Sequence, residues 1–443
     1  MKNLIDKMSG LVALAILATM VAGCGGISFT PDLSLLNRFH KEYFPGKVSS
    51  LSDTVDLFID YSTCVAEAMK SPYYTATHPS IIDCSPVFWS IKGSQITRET
   101  DDRQKVYQLL SSVREVNHAD IKQAVHMIVA GSHQAVLITD GEYFQQGIVK
   151  DNLNNPYLAE EIRCWIKKGH EIFIYSEPYI ESGRFAKHRY YMLFTDSSIS
   201  NNINDRFRRS APKDESVRML HLYDGVPEVR TTKKYPDINP SLSPVSDNCV
   251  ANAGFEVQEY GMGWKDIRDF LDGDDIDIRY VFRGLFIDRN ESDCYYIKEL
   301  EPVVYQVYEE YQEYCDSLYA GGRVPGLRRL EKVEDVFSID EDIFEETGEI
   351  VLCLDDDFDG VGDALSAEFP NLLKVDFVIE EAENNFSTNA ELSSSFKWNS
   401  ISAAQNYALN TSVYESINQV IQDPQMSPVG KVVYSLYIST SKL

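Results

Sequence analysis

The segment TVDLFIDYSTC, residues 54–64, is an apolar run that ends in an Asp followed two residues later by a Ser. The run of Val, Leu, Phe and Ile is typical of a buried β-strand, and good helix formers follow from Cys64 onward. A strand that leads into a helix places Asp60 and Ser62 at the carboxyl edge of a sheet, where open α/β sheets bind ligands. Their oxygen atoms suit a hard cation such as Mg²⁺, although Asp and Ser also commonly cap the following helix.

A second apolar run, AVLITDGE at residues 135–142, ends in a similar polar turn that contains Asp140. Between the two runs, residues 119–129 carry apolar side chains at helical spacing. The order strand, Asp-x-Ser, helix, strand, helix, strand and Thr-Asp-Gly resembles the von Willebrand factor A family. The resemblance covers roughly residues 51–200. It implies a doubly wound, mostly parallel sheet that carries a metal-ion-dependent adhesion site.

In that family an Asp-x-Ser-x-Ser loop, a Thr before a helix and an Asp after a later strand hold the metal ion. The resemblance therefore implies that Asp60, Ser62 and Asp140 bind Mg²⁺ in this chain. Cys64 stands at the position of the second Ser, and Ala119 stands at the position of the Thr. A thiol is a poor ligand for Mg²⁺ and Ala is none, so we expect weak or absent metal binding.

The residues themselves also predict an α/β fold for residues 51–200, without reference to any family. The patterns indicate strands at 87–93, 170–175 and 189–196, and helices at 101–110 and 156–169. The last of these helices has Pro in its first turn, acidic residues near its start and Lys-Lys-Gly at its end. Alternating strands and helices favour a mostly parallel sheet that is covered on both faces.

The N-terminal residues have the pattern of a bacterial lipoprotein signal peptide. Two lysines precede an apolar core at residues 11–21, and Val-Ala-Gly-Cys follows it and ends at Cys24. The core has the proportions of a secretory signal and is too short to span a bilayer comfortably. The motif resembles a lipobox, which implies removal of residues 1–23 and diacylation of Cys24. We therefore expect a lipid-anchored protein of the outer membrane or cell surface, with residues 24–50 as a tether.

The composition limits the class of partner. The 443 residues suggest two or three domains, and 68 acidic against 41 basic residues give a net charge of −27. A chain with this charge is not expected to bind nucleic acid or anionic lipid headgroups. The lipid on Cys24 is then the expected contact with the membrane.

The rest of the chain predicts a second, β-rich unit. Three prolines among Ser and Asn mark residues 201–250 as a connector, and residues 251–443 then form a β-rich C-terminal module. Residues 219–223 are an alternative within the connector, since their pattern could form one more strand of the first domain. The patterns indicate strands around 276–286, 374–379 and 431–438, and a helix at 410–421.

An acidic segment, DDDFDGVGD at residues 355–363, lies in this module. Alternate carboxylates around a Gly turn resemble a calcium loop, and they predict that Asp355, Asp357, Asp359 and Asp363 bind Ca²⁺. Ser366 occupies the position at which such loops usually close with a carboxylate. An ordinary solvated acidic loop is therefore the alternative interpretation.

We predict a binding protein rather than an enzyme, in which the A-type domain contacts a protein or glycan partner. The sequence contains no Gly-x-Ser-x-Gly elbow, P-loop or His-Glu-x-x-His motif. Two alternatives stay open: a metal-assisted hydrolase that uses Asp60 and Asp140, and a structural envelope scaffold without a functional metal. A hydrolase would need a deep cleft, whereas an adhesion site is shallow and open.

Overall fold

A computed structural model describes residues 31–45, 49–62, 71–112, 116, 118–142, 153–181, 183, 185–231, 255–259, 263–267, 280–355, 371–401 and 407–440. The predicted signal peptide with Cys24, the residue Cys64, and three of the predicted calcium ligands lie outside these residues; those three are Asp357, Asp359 and Asp363.

The described part of the first half of the chain contains one seven-stranded sheet and several helices. The strands are β1 (Ser52–Asp60), β2 (Val87–Lys92), β3 (Gln95–Thr100), β4 (His133–Thr139), β5 (Glu171–Glu181), β6 (Phe185–Thr195) and β7 (Arg218–Leu222). The helices are α1 (Leu33–Tyr43), α2 (Pro72–Asp83), α3 (Arg103–Leu110), α4 (Ile121–Ala130), α5 (Ala159–Lys167) and α6 (Ile203–Ser210). The strand order is β3-β2-β1-β4-β6-β5-β7.

The sheet is mixed. β1 pairs in parallel with both β2 and β4, while β2–β3, β4–β6, β5–β6 and β5–β7 pair antiparallel. Four of the seven strands, β1, β2, β4 and β5, therefore run in one direction. The predicted α/β character is confirmed, but parallel pairing is confined to the three strands β2, β1 and β4. The reason is that β5 and β6 form a hairpin, in which Glu181 pairs with Phe185, and a hairpin needs only a short turn.

Both faces of the sheet are covered, as the alternating pattern predicts. On one face, Leu57 and Ile59 of β1 pack in a core with residues of α2, α3 and α6. On the other face, Phe58 packs in a second core with residues of α4 and α5. Because the second half of β1 is buried on both faces, Leu57, Phe58 and Ile59 are consecutive apolar residues rather than alternating ones.

The second half of the chain forms two antiparallel sheets. The strands are β8 (Val229–Thr231), β9 (Phe255–Glu259), β10 (Gly263–Ile267), β11 (Tyr280–Ile287), β12 (Tyr295–Gln306), β13 (Glu331–Val333), β14 (Phe337–Ile339), β15 (Glu349–Leu354), β16 (Asn371–Asn384) and β19 (Val432–Thr440). Six strands have the order β10-β9-β19-β16-β12-β13, and four have the order β14-β15-β11-β8. Residues of both sheets share one core, so the predicted β-rich unit contains two packed sheets.

The remaining elements lie between or around these sheets. They are α7 (Tyr308–Tyr319), α8 (Glu341–Thr347), α9 (Asn385–Thr388), α10 (Ala390–Ser394), the ribbon of β17 (Trp398–Ile401) and β18 (Tyr407–Asn410), α11 (Ser412–Ile421), and a 3₁₀ turn (Pro424–Met426). Side chains of Phe386, Trp398 and Ile417 join the core that α4 and α5 form on the seven-stranded sheet. The C-terminal region thus covers part of the first sheet.

Two segments that were predicted to be irregular contain regular structure. The predicted tether, residues 24–50, includes α1, which begins because Asp32 accepts hydrogen bonds from the N–H groups of Ser34 and Leu35. Leu36 and Phe39 of α1 are buried against α7 and the six-stranded sheet. The predicted connector, residues 201–250, contributes α6, β7 and β8 over its described part, and β7 confirms the strand expected at residues 219–223. No helix within the described ranges is long and apolar enough to cross a bilayer.

Candidate functional site

Two of the predicted site residues meet at the carboxyl edge of the central parallel strands. Asp60 ends β1, Asp140 follows β4, and the register pairs Ile59 with Ile138. The exposed fraction is 2% for Asp60 and 3% for Asp140, so both carboxylates are buried. The hydroxyl of Thr139, the residue directly before Asp140, lies 2.9 Å from Oδ2 of Asp60, so the ends of the two strands are in contact. Ser62 lies at the same edge and is also buried.

Asp60 is held by hydrogen bonds from two directions. The backbone N–H of Ser62 donates to Oδ1 of Asp60 at 2.7 Å, and the hydroxyl of Thr139 donates to Oδ2 at 2.9 Å. Thr139 in turn accepts a hydrogen bond of 3.0 Å from the N–H of Gly141. Thr139 was not among the site residues predicted from the sequence. Its position directly before Asp140, on the strand beside β1, was the signal that could have revealed it.

Gly141 makes the tight turn after β4 possible. Its φ is +73°, a left-handed conformation that Gly adopts without strain. A Cβ atom at this position would lie 2.7 Å from Cγ2 of Val413 and 3.1 Å from the ring of Tyr190. Tyr157 also donates a hydrogen bond of 2.8 Å to the carbonyl of Gly141. The turn that presents Asp140 is therefore fixed by residues from both halves of the chain.

Two buried oxygen atoms at this edge have no hydrogen-bond partner among the described residues. They are Oγ of Ser62 and Oδ2 of Asp140. Oδ1 of Asp140 accepts a hydrogen bond of 3.0 Å from the N–H of Glu142, so half of this carboxylate is satisfied. A buried polar atom without a partner costs free energy, and such atoms usually mark a site for a water molecule or an ion.

The electrostatic environment of Asp140 is unfavourable for a negative charge. Burial raises the pKa of Asp140 well above its usual range, and the charges of Glu142 and Asp60 raise it further. The charge of Lys187 and the hydrogen bond from Glu142 act in the opposite direction. A divalent cation would remove this penalty, because it attracts the carboxylates that otherwise repel one another.

Lys187 is a second residue that the sequence analysis missed. It lies near the start of β6, its exposed fraction is 4%, and its Nζ bridges two carboxylates. The distances are 2.5 Å to Oε1 of Glu142 and 2.9 Å to Oε2 of Glu181. A lysine is rarely this buried unless it is paired. No pattern in the local sequence links Lys187 to Glu142, since the contact depends on the register of β4 and β6.

The other positions of the proposed metal motif supply no further carboxylate. Ala119 is buried and its backbone pairs with Gly93, while Ser62 pairs with Val116. Asp120 caps α4, because its carboxylate accepts a hydrogen bond from the N–H of Gln123 at 3.0 Å. Across the described ranges, no group of three or more His, Cys, Asp or Glu side chains is arranged to hold a metal ion. The predicted ligands that meet at this edge are therefore two carboxylates and the Ser62 hydroxyl.

Of the four predicted Ca²⁺ ligands in the acidic segment of the C-terminal half, Asp355 is the one that the structure describes. The backbone N–H of Asp355 donates to the carbonyl of Val336 at 3.1 Å. The predicted Ca²⁺ site at this loop therefore stays a prediction.

A polar network lies at the opposite edge of the sheet. Nδ1 of His170 lies 3.0 Å from Oδ2 of Asp196, and Nε2 of His170 lies 3.3 Å from Oγ of Ser50. His170 and Asp196 are buried, whereas Ser50 is exposed. These contacts connect the segment before β1 to the turns next to β5 and β6.

A second histidine, His221 of β7, lies beside a cavity of about 320 Å³ that Glu171 and Asp293 also line. Both carboxylates contact its ring, Asp293 at Nδ1 and Glu171 at Nε2. The cavity lies between the seven-stranded sheet and the segment before β12.

Comparison of the chain with protein families, with curated proteins and with solved structures found no match.

Proposed function

We propose that this chain is a lipid-anchored envelope protein that binds a protein or glycan partner through its seven-stranded domain. In this proposal, Asp60, Ser62 and Asp140 hold a divalent cation such as Mg²⁺, and the domain is related to the von Willebrand factor A family. The ion would supply an open coordination position for an oxygen atom of the partner. Cys24 would carry the lipid.

The observation that carries the proposal is the pair of buried, unpartnered oxygen atoms, Oγ of Ser62 and Oδ2 of Asp140. They lie beside the carboxylate of Asp60 at the edge where α/β sheets bind ligands. Hard oxygen atoms of this kind fit Mg²⁺, which keeps several water molecules and needs few protein ligands. The raised pKa of Asp140 supports the same conclusion, because a cation at this place would offset the repulsion between carboxylates.

The proposal is tested by titrating Mg²⁺ and Mn²⁺ into the chain from residue 25 onward by isothermal calorimetry. The full chain is needed because its C-terminal region covers one face of the sheet. We expect heat of binding that is lost in Asp140→Asn. A matched control is Asp53→Asn, which makes the same change at an exposed position on β1.

Partner binding is tested with the same variants. Immobilised wild-type chain should retain glycans or proteins in Mg²⁺ and release them in EDTA, and Asp140→Asn should retain none. Absence of ion binding, even after Ala119→Thr and Cys64→Ser restore the family's oxygen positions, would refute the metal site. If the immobilised chain retains a partner equally in Mg²⁺ and in EDTA, then that partner binds to a surface other than the ion site.

A hydrolase is the second candidate, and the contacts of His170 are the specific observation in its favour. Ser50, His170 and Asp196 are connected in the order of a nucleophile, a base and the group that orients the base. Catalysis would also require hydrogen-bond donors for an oxyanion near Ser50. A fluorophosphonate probe tests this candidate directly: labelling that disappears in both Ser50→Ala and His170→Ala would support a hydrolase, and no labelling would exclude a reactive Ser50.

A further inference from the structure

We propose that Lys187 is a tethered cation that competes with a divalent ion for the carboxylates at the edge site. The inference rests on the proposed function, and it concerns how tightly that site holds its ion. It makes Lys187 a determinant of ion affinity, although lysine is not itself a metal ligand here.

The first argument is the place of Lys187 in the sheet. Thr139 pairs with Tyr190 across β4 and β6, which run antiparallel, so the residues after Thr139 approach those before Tyr190. Glu142 lies three residues after Thr139, and Lys187 lies three residues before Tyr190, so the same register places them opposite each other. Their contact of 2.5 Å therefore follows from the register of the two strands. The ammonium group is brought to the same edge as Asp140 by the backbone rather than by a flexible loop.

The second argument is the local balance of charge. Asp60, Asp140, Glu142 and Glu181 provide four carboxylates at this edge, and Lys187 contacts Glu142 and Glu181 directly. Its charge also acts on Asp140. Lys187 has an exposed fraction of 4%, so water screens its charge only weakly. It therefore acts as a counter-ion for a group of carboxylates that would otherwise repel one another.

The neighbouring basic residues of β6 do not share this role. Arg189 donates from Nε and Nη2 to Oε2 of Glu177, at 3.0 and 2.5 Å, so its charge is matched by that carboxylate. His188 is half-buried, with Nδ1 2.9 Å from Oγ of Ser176, and desolvation lowers the pKa of His188 to about 4, which leaves the ring neutral at pH 7. The positive charge that acts on Asp140 is that of Lys187.

A divalent ion at Asp60 and Asp140 would meet this ammonium group as a like charge. Repulsion between them weakens binding, and Glu142 is held by Lys187 instead of facing the ion. Removal of the charge should have two consequences. The repulsion disappears, and Glu142 becomes available as a third carboxylate beside Asp60 and Asp140, which favours a larger ion such as Ca²⁺ as well as Mg²⁺.

The test is a calorimetric titration of Mg²⁺, Mn²⁺ and Ca²⁺ into three chains: wild type, Lys187→Met and Lys92→Met. Met has a similar length and no charge. Lys92 ends β2 at the same edge of the sheet, but it is 42% exposed and pairs with Glu99 at 2.8 Å. We expect Lys187→Met to lower Kd by about tenfold or more, because a buried like charge is removed, and Lys92→Met to leave Kd within about twofold.

The outcomes separate this inference from the proposed function. If the wild-type chain binds the ions and Lys187→Met binds them with equal or lower affinity, then the role of Lys187 is overturned and the ion site stays intact. Binding in Lys187→Met but not in wild type would support the inference in its strongest form. No binding in any of the three chains would overturn both. If Lys187→Met does not fold, Lys187→Gln is titrated instead, with the melting temperature followed in EDTA and in each ion.

Discussion

Nδ1 of His221 lies 3.0 Å from Oδ1 of Asp293, a contact that joins β7 of the seven-stranded sheet to the segment before β12. Nε2 of the same ring lies 3.0 Å from Oε2 of Glu171. Phe173 and Tyr223 stack on the imidazole, with ring centroids 4.2 and 4.3 Å away. Backbone hydrogen bonds from His221 to Ser292 and from Cys294 to His221 continue the junction. One histidine thus connects the two halves of the chain.

This junction should be sensitive to pH. Burial disfavours the charged imidazole, but the hydrogen bonds and charges of Asp293 and Glu171 outweigh burial, so the pKa of His221 is raised. A group whose pKa is raised by folding contributes its full stability below its unfolded pKa of about 6.5, and loses it as the pH rises through the folded value.

We therefore expect His221→Gln to lower the free energy of unfolding by about 1–2 kcal/mol more at pH 6 than at pH 9. Urea unfolding at the two pH values measures this difference, with His126→Gln at an exposed position of α4 as the control. A loss that is equal at both pH values would mean that the charge of His221 contributes nothing to the junction.

The second prediction concerns the contact between the C-terminal region and the first sheet. Ile417 of α11 is fully buried in the core that contains Phe58 and Leu137. Ser416 accepts a hydrogen bond of 3.1 Å from the N–H of Leu158. Ile417→Ala should lower the free energy of unfolding by about 2–4 kcal/mol, because it leaves a cavity beneath the sheet.

The measurement is chemical denaturation followed by fluorescence, with Val429→Ala as the control because Val429 is 49% exposed. We also expect a chain that ends at residue 231 to be much less stable than the full chain. Equal stability of the two would show that the first sheet does not depend on its C-terminal cover.

The elements at the centre of the sheet were predictable from sequence because their signals are local. An apolar run identifies β1 and β4, and a polar residue at the end of each run identifies Asp60 and Asp140. Parallel neighbours then bring the two ends to one edge, as their register confirms. The helix predicted at 410–421 is likewise found as α11.

Other parts depend on contacts between distant residues, and sequence patterns do not report those. Lys187 reaches Glu142 only because β6 lies beside β4. The hairpin of β5 and β6 is an exception, because the Ser-Gly pair between the two apolar runs is a local turn signal in the sequence. In the structure Gly183 has a φ of +69°, a conformation suited to such a turn. The amphipathic pattern of α11 shows that one face is buried, but it does not show which surface buries that face. The packing of α11 on the first sheet rather than the second could therefore not be inferred from sequence.

The third prediction concerns the lipid anchor. If the Val-Ala-Gly-Cys motif is a lipobox, Cys24→Ala should abolish labelling with a radioactive fatty acid and release the protein from the membrane fraction. Cys164→Ala is a suitable control, since Cys164 is an exposed free thiol. A Cys24→Ala chain that still labels and still sediments with membranes would refute the lipobox.

The fourth prediction concerns the acidic loop. If Asp355, Asp357, Asp359 and Asp363 hold Ca²⁺, then EDTA should lower the melting temperature of the full chain, and Asp357→Ala should remove this effect. Asp316→Ala, at an exposed position of α7, provides the control for loss of one negative charge. Identical melting of the wild-type chain in Ca²⁺ and in EDTA would favour a solvated acidic loop.

The last prediction uses the opposing effects that one carboxylate has on stability and on ion binding. Burial and the charges of Glu142 and Asp60 raise the pKa of Asp140, so the ion-free chain either buries a repelled charge or holds a proton at a cost. This cost is absent at low pH, where the carboxyl is protonated in both states, and it grows as the pH rises.

Asn has the same shape as Asp and no charge. In EDTA, Asp140→Asn should therefore raise the free energy of unfolding by about 1–2 kcal/mol at pH 8 and by less at pH 5. In Mg²⁺ the order should reverse, because the wild-type chain gains the free energy of ion binding and the variant does not. Urea denaturation in the two buffers measures both effects, and Asp53→Asn should change neither. If Asp140→Asn is less stable than wild type in EDTA, then Asp140 serves the fold as a hydrogen-bond acceptor. The electrostatic cost of its buried charge would then be absent, and with it the argument for an ion at this site.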